Sequence, residues 1–271
     1  KSEVNYISIF PKSSSEITGS LSISYKYYPK PDGYQDGGMG HNTITSEVSA
    51  VIVPEGVYLA PSSYWYPDFS KEVEQFDLTV SLPSEWRTMT SGDLISSSVD
   101  GGVRTEVWST KYDSERIHMI ANKFNVNETV YRGVRLQTYF HSDLGDMSET
   151  YLTKLKAYLD MYMDYFGSYP FSKFAVVSNF FSTGYGMASY TLLDKNLIPY
   201  PFIIDTSLGH ELLHNWWGNS VYVDWDNGNW CEGLSVYQAD YLYELNKSAD
   251  AAQLYRLNTL RDNQNFVNDE N

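Results

Sequence analysis

The chain has 271 residues and a formal net charge of −15, with a single cysteine, Cys231. The negative charge argues against nucleic acid and anionic membrane surfaces as partners. One cysteine excludes both an internal disulfide framework and a cysteine-rich zinc site, and the chain has no run of 18 apolar residues that would predict a membrane span. A chain of this length can bury a substantial core and is predicted to form two domains.

Residues 1–141 are predicted to form an antiparallel β domain. Apolar and polar residues alternate through segments rich in β-branched and aromatic side chains, and turn residues separate these segments. Asp100, Gly101 and Gly102 predict a hairpin turn, and the Pro- and Gly-rich residues 29–40 predict a loop. The predicted strands are 4–10, 19–28, 47–53, 76–82, 103–109, 117–124 and 134–140.

Three histidines in this part, His41, His118 and His141, are interpreted as ordinary loop or strand residues, because they lie far in sequence from the two histidines at 210 and 214. The aromatic residues 64–67 could form a sugar-binding platform, but a packed domain corner is the preferred interpretation.

The hydrophobic period changes near residue 142. Tyr151, Leu155, Tyr158 and Tyr162 share one face at helical spacing, and Gly167 predicts where that helix ends. Residues 174–179 and 187–193 are predicted strands on either side of a flexible segment, 182–186. Helical runs at 234–246 and 249–266 follow, with Ser248 as a cap between them. Residues 142–271 are therefore predicted to be an α+β domain.

The most informative motif is His210-Glu211-Leu212-Leu213-His214. On a helix, histidines four residues apart project from one face, so both imidazoles can bind one metal ion. Glu211 lies beside such a metal and can accept a proton from a water there. Glu232, just ahead of the next helical run, is the candidate third ligand. Asp205 or Thr206 could cap the motif helix, and Gly218 could end it.

A structural helix with surface histidines is the competing interpretation, because this pattern can arise by chance. The chain has only five histidines, and two fall at this spacing between apolar residues. A metal site is therefore favoured. Two imidazoles and a carboxylate suit one Zn²⁺ ion best, although cobalt or manganese could occupy the same ligands.

The segments HELLHNWWGN and WCEG resemble the zinc-binding core of the aminopeptidase N-type gluzincin metallopeptidases. The resemblance implies that His210, His214 and Glu232 are zinc ligands and that Glu211 is the general base. Seventeen residues separate His214 from Glu232, one fewer than is usual in the family. Cys231 stands where the family commonly has Asn, and it is interpreted as a small buried residue.

The segment GMASY, residues 186–190, occupies the place of the family's G-x-M-E-N motif, whose glutamate binds the amino terminus of the substrate. Gly186 and Met187 match and are the predicted substrate-binding residues. Ala188 and Ser189 replace Glu and Asn, so the partner of a substrate ammonium group is missing. Aminopeptidase specificity does not follow automatically from the resemblance.

The resemblance implies an N-terminal β domain followed by the first part of a thermolysin-like catalytic domain, incomplete on its C-terminal side. The family's oxyanion-stabilising tyrosine lies further along, so we expect the chain to be part of a longer polypeptide. The main hypothesis is a zinc metallopeptidase acting on peptides. The alternative is a non-catalytic peptide- or protein-binding module that retains zinc. Composition favours an exported or cell-surface bacterial protein, with a cytoplasmic protein as the alternative.

Overall fold

The structure is a computed structural model that describes residues 22–28, 48–67, 75–114, 116–224, 226, 228 and 230–269. Strands dominate the first part of this range and helices the second. The strands are β1 Ala50–Val53, β2 Gly56–Leu59, β3 Asp77–Pro83, β4 Arg87–Met89, β5 Asp93–Asp100, β6 Val103–Ser109, β7 Met119–Asn122, β8 Asn125–Tyr131, β9 Val134–Phe140, β10 Lys173–Asn179, β11 Gly184–Met187 and β12 Tyr190–Asp194. The helices are α1 Met147–Phe166, α2 Leu208–Leu213, α3 Cys231–Ser235, α4 Leu242–Lys247 and α5 Ala249–Asp269.

These strands form three sheets. Two are antiparallel, with strand orders β1-β2-β7-β4 and β3-β6-β5. The third has the order β11-β12-β10-β9-β8, and its central strand β10 runs parallel to both neighbours. The predicted α+β class, with antiparallel sheets in its N-terminal part, is confirmed.

The strand predictions for residues 47–53, 76–82, 103–109, 117–124 and 134–140 correspond to β1, β3, β6, β7 and β9. The strand predicted at 4–10 and the loop predicted at 29–40 lie outside the described residues. The prediction of a strand at 19–28 is wrong for residues 22–28, which are not in strand conformation, pair with no strand of the described residues and are mostly exposed. Tyr25 holds this stretch through its side chain, whose hydroxyl donates to the Trp65 carbonyl over 3.0 Å.

The predicted hairpin turn joins β5 to β6. Asp100 pairs with Val103, and the intervening Gly101 and Gly102 have φ values of +54° and +80°. Two consecutive residues at positive φ define the turn that best matches the twist of a two-residue hairpin, and glycine adopts it without steric cost.

Helix α1 buries the face that the sequence predicted. Tyr151, Leu155, Tyr158 and Tyr162 are all at most 5% exposed, and they pack beneath the five-stranded sheet with Leu208 and Leu212 of α2. Gly167 follows at φ +89° and donates its N–H to the Met163 carbonyl, which ends the helix.

The five-stranded sheet separates two hydrophobic clusters. Alternate residues of β10 face opposite sides: Phe174 and Val176 belong to the helical cluster, whereas Ala175 and Val177 belong to a cluster that includes Trp108. Every residue of β10 is therefore buried, as expected for a central parallel strand.

The division into domains 1–141 and 142–271 stays a prediction. Strand β9 lies before residue 141 and β10 after it, and the two pair from Lys173↔Arg135 to Val177↔Tyr139. The sheet thus continues across the predicted division. In the described part of the chain, no helix combines the length and apolar character needed to cross a membrane.

Candidate metal centre

The motif helix starts further upstream than predicted. A π-helical turn, Ile203–Ser207, leads directly into α2, so Asp205 and Thr206 lie inside the helical path and do not cap it. The Thr206 hydroxyl instead donates to the Phe202 carbonyl, and Asp205 pairs with Lys154 over 2.7 Å. The cap prediction is wrong because the buried Ile203 and Ile204 extend the apolar face of the helix by a turn.

Helix α2 orients the motif by burying its other face. Leu208, Leu212 and Leu213 are fully buried in the helical cluster, so His210 and His214 project from the opposite side. After the helix, the chain changes direction at Gly218, whose φ of +105° favours glycine.

The next helical segment supplies Glu232. Helices α3 and α4 are joined by a π-helical stretch, Val236–Tyr241, and Glu232 lies in the first turn of this run. Its Oε2 lies 3.4 Å from the Nε2 atom of His210, and its Oε1 lies 3.4 Å from the Nε2 atom of His214. The two Nε2 atoms are 3.0 Å apart.

These distances fit a metal ion of the zinc type. Ligand atoms of the three residues all lie within 4.8 Å of one another. Nitrogen and oxygen ligands about 2.0–2.2 Å from a tetrahedral zinc ion lie roughly 3.3 Å apart, close to the separations found here. The structure brings the three predicted ligands together, and all three line one cavity. Their role as ligands stays a prediction.

Both imidazoles are held through their other nitrogen. The Nδ1 atom of His210 lies 3.1 Å from Asp240 Oδ2, and Nδ1 of His214 lies 3.2 Å from the Trp217 carbonyl oxygen. A proton on each Nδ1 satisfies these acceptors and leaves each Nε2 lone pair available to a metal. Sequence reasoning missed Asp240. Its position two helical turns after Glu232 was the signal that could have found it.

Glu211 lies beside this group of ligands. Burial raises the pKa of the Glu211 carboxyl to about 7; the charge of His210 lowers it, whereas those of Glu232 and Asp240 raise it further. A Cβ atom added to Gly186 would lie 2.6 Å from Glu211 Oε2. The carboxylate of Glu211 thus lies almost against the backbone of β11.

A cavity of about 470 Å³ lies in front of these residues. Strand β11 forms one wall, which contains the predicted substrate-binding residues Gly186 and Met187. This strand pairs with β12 and is the edge of the sheet among the described residues. The lining residues are Gly184, Tyr185, Gly186, Met187, His210, Glu211, His214, Gly218, Asn219, Val223, Cys231 and Glu232.

His118, His141 and Cys231 lie outside the group of predicted ligands. His118 and His141 are not part of the group of possible metal ligands found among the described residues, and burial lowers the pKa of each to about 4. His41 lies outside the described residues. Cys231 is buried, as predicted, and its Sγ lies 3.1 Å from the Trp217 carbonyl oxygen.

Two histidines and a glutamate on one helix, with a second glutamate on the following helix, form the ligand pattern that zinc metallopeptidases with an H-E-x-x-H motif use. Comparisons with known proteins agree with this class. The sequence is 25% identical over 179 residues to aminopeptidase M1-B of rice, Oryza sativa subsp. japonica, a match that covers 60% of this chain and 20% of that protein. No protein-family model matches the chain.

Solved structures show the same fold. A two-domain M1 zinc metallopeptidase bound to L-arginine aligns with a TM-score of 0.58 and 16% identity, over 72% of this chain and 48% of that one. The M1 zinc metallopeptidase of Deinococcus radiodurans aligns with the same TM-score and 18% identity, over 71% and 47%. The predicted resemblance to aminopeptidase N-type gluzincins is confirmed. The chain spans less than half the length of each of these relatives.

Proposed function

We propose that this protein is a zinc-dependent metallopeptidase that hydrolyses peptide bonds. One observation carries the proposal: His210, His214 and Glu232 place their ligand atoms within 4.8 Å of one another, and Glu211 lines the same cavity. The names of the relatives support the reaction class and the choice of zinc.

In the proposed mechanism, the chain's own groups bind the substrate and move the proton. A peptide lies along the edge strand β11, where backbone groups can pair with it in extended form. Bound zinc would act as a Lewis acid towards a water molecule and the scissile carbonyl. The carboxylate of Glu211 accepts a proton from the attacking water and passes it to the leaving amine. Asp240 keeps the His210 ring in the orientation that ligation requires.

The decisive variant is Glu211→Gln, which keeps the shape of the side chain and removes its basicity. We expect zinc stoichiometry, measured by elemental analysis, to stay at one ion per chain, while hydrolysis of peptides by the full-length protein falls at least a thousandfold. Glu85→Gln is the matched control, because Glu85 is an exposed partner of Lys123. Unchanged turnover in Glu211→Gln would remove this residue from the mechanism.

A second candidate is a peptide- or protein-binding module that retains zinc without catalysis. Ala188, which stands where the family has its amine-binding glutamate, favours it. Amino-acid amides and N-terminally blocked, internally quenched peptides separate the cases. Cleavage of amides indicates an aminopeptidase, and cleavage of blocked peptides alone indicates an endopeptidase. Zinc binding with no cleavage of either substrate favours the binding module.

A further inference from the structure

Lys173, the first residue of β10, has a fully buried side chain. It is 1% exposed, and its Nζ donates to Ser189 Oγ over 2.7 Å and to the Thr90 carbonyl over 3.3 Å. The rings of Trp108 and Tyr190 lie at centroid distances of 5.6 and 5.5 Å from the same nitrogen. Burying an ammonium group costs a large desolvation free energy, whereas a methionine of similar length would fill this space without that cost. Packing alone does not account for a lysine here.

The partner of Lys173 is an unusual turn residue. Ser189 joins β11 to β12 with φ +73°, a backbone conformation that residues other than glycine, asparagine and aspartate rarely adopt. Its backbone N–H donates to Asn215 Oδ1 over 2.7 Å. The Asn215 amide in turn donates to the Leu212 carbonyl over 3.1 Å. A buried chain of hydrogen bonds therefore runs from Lys173 through the turn to the motif helix.

This chain of hydrogen bonds joins the two walls of the cleft. Ser189 lies two residues after Met187 of β11, and Asn215 directly follows His214. Gly186 of β11 and Glu211 of α2 are so close that an added Cβ would meet the carboxylate. A small shift of the turn would therefore change the distance between the strand that borders the substrate and the proposed base.

We propose that Lys173 is a positioning residue, which holds the β11–β12 turn and the motif helix at a fixed separation through Ser189 and Asn215. The inference deepens the proposed peptidase function and rests on it. Lys173 touches neither the cavity nor the ligands, so its effect reaches the reaction through the placement of Glu211 relative to bound peptide.

The test is Lys173→Met in the full-length protein, with Lys123→Met as the control, since Lys123 is an exposed lysine. We expect Lys173→Met to fold and to bind one zinc ion, with kcat for a peptide reduced at least tenfold and KM changed less than threefold. In the metal-free protein, amide hydrogen exchange across residues 184–194 should accelerate at least tenfold in Lys173→Met and stay unchanged in Lys123→Met. Retained kcat together with unchanged exchange would overturn the proposal.

Variants of Ser189 keep the proposal testable if Lys173→Met fails to fold. Ser189→Ala removes the hydrogen-bond acceptor of Lys173, so it should lower kcat as Lys173→Met does. Ser189→Asn keeps a side-chain acceptor and tolerates positive φ, so its kcat should stay close to that of the parent. Equal activity of both variants and the parent would refute the positioning role. If the parent binds zinc and cleaves no peptide, the proposed function fails, and the exchange measurement still decides whether Lys173 orders the turn.

Discussion

Gly186 makes the closest approach between the cleft strand and the proposed base. A side chain there would meet Glu211 Oε2 at 2.6 Å and His214 Cδ2 at 3.3 Å. The end of a glutamate side chain can move aside at little energetic cost, so the protein would still fold, but the carboxylate would be displaced from its working position.

We therefore predict that Gly186→Ala lowers kcat at least tenfold while changing the melting temperature by only a few degrees. Gly184→Ala is the matched control: it lies on the same strand, and an added Cβ there meets nothing within 4 Å. Steady-state kinetics and thermal melting of both variants test the idea. Equal losses in the two variants would point to general damage to β11 and contradict the prediction.

Lys173 should give the stability of the protein a distinctive pH dependence. Burial lowers the pKa of Lys173 to about 7; the charge of Asp93 opposes this shift, and the charge of Arg135 adds to it. Two further titratable side chains lie near the Lys173 amine: Tyr190, and Tyr112, whose hydroxyl is close to Ser189. In the unfolded chain the amine stays protonated up to its ordinary pKa near 10.5. Between these values the unfolded state binds more protons, so the free energy of unfolding rises with pH.

We predict that Lys173→Met lacks this increase. The free energy of unfolding of the variant, taken relative to that of the parent, should therefore fall by roughly 2 kcal/mol between pH 7 and pH 9, whatever its value at pH 7. Urea unfolding at both pH values measures the difference, and Lys123→Met should follow the parent throughout. A difference that stays constant with pH would show that Lys173 does not change its protonation state in this range.

At the scale of elements, close packing of two helices sets the position of the motif. A Cβ added to Gly209 of α2 would lie 2.8 Å from Cε1 of Tyr158 on α1. That ring cannot move easily, because its hydroxyl donates to the Asp205 carbonyl over 2.7 Å. Glycine at this position lets the two helices approach closely.

Gly209→Ala should therefore destabilise the fold by roughly 1 to 3 kcal/mol through overpacking. Gly145→Ala is a suitable control, since it has helical backbone angles and the nearest atom to an added Cβ is 3.7 Å away. Chemical denaturation of the metal-free protein measures both changes. Equal stability of the two variants would mean that α1 and α2 separate without penalty.

The sequence predicted those helices and strands in which apolar residues recur on one buried face. The stripe of α1 and the alternation in β9 are of this kind, as are the glycines of the β5–β6 turn. It missed β2, β4, β5 and β8, and the prediction of a flexible segment at 182–186 is wrong from residue 184, where β11 begins. The side chains of β5 and β8 are mostly polar and exposed, so their pairing depends on neighbouring strands. The spacing of His210 and His214, with Glu232 just ahead of the next helical run, predicted which candidate ligands would meet. The role of Lys173 was not predictable, because it depends on contacts with Thr90 and Ser189, which are distant in sequence. Asp240 was indicated only by its spacing from Glu232 along the helical run.

At the scale of the whole molecule, zinc should contribute to stability because its predicted ligands come from two separate helical segments. We predict that chelation lowers the melting temperature and that zinc restores it, with a gain of about 4 kcal/mol when free zinc exceeds its dissociation constant a thousandfold. His214→Ala should show neither response. Calorimetry with and without a chelator tests this, and a melting temperature insensitive to zinc in the parent would argue against a shared metal.

The parallel pairing of β9 with β10 also bears on synthesis. A chain that has emerged from the ribosome only as far as residue 140 presents β9 with one edge unpaired, because its partner β10 has yet to be translated. Such an edge can recruit a strand from another nascent copy. We expect this edge of β9 to stay open to such pairing until residue 179, the end of β10, is available.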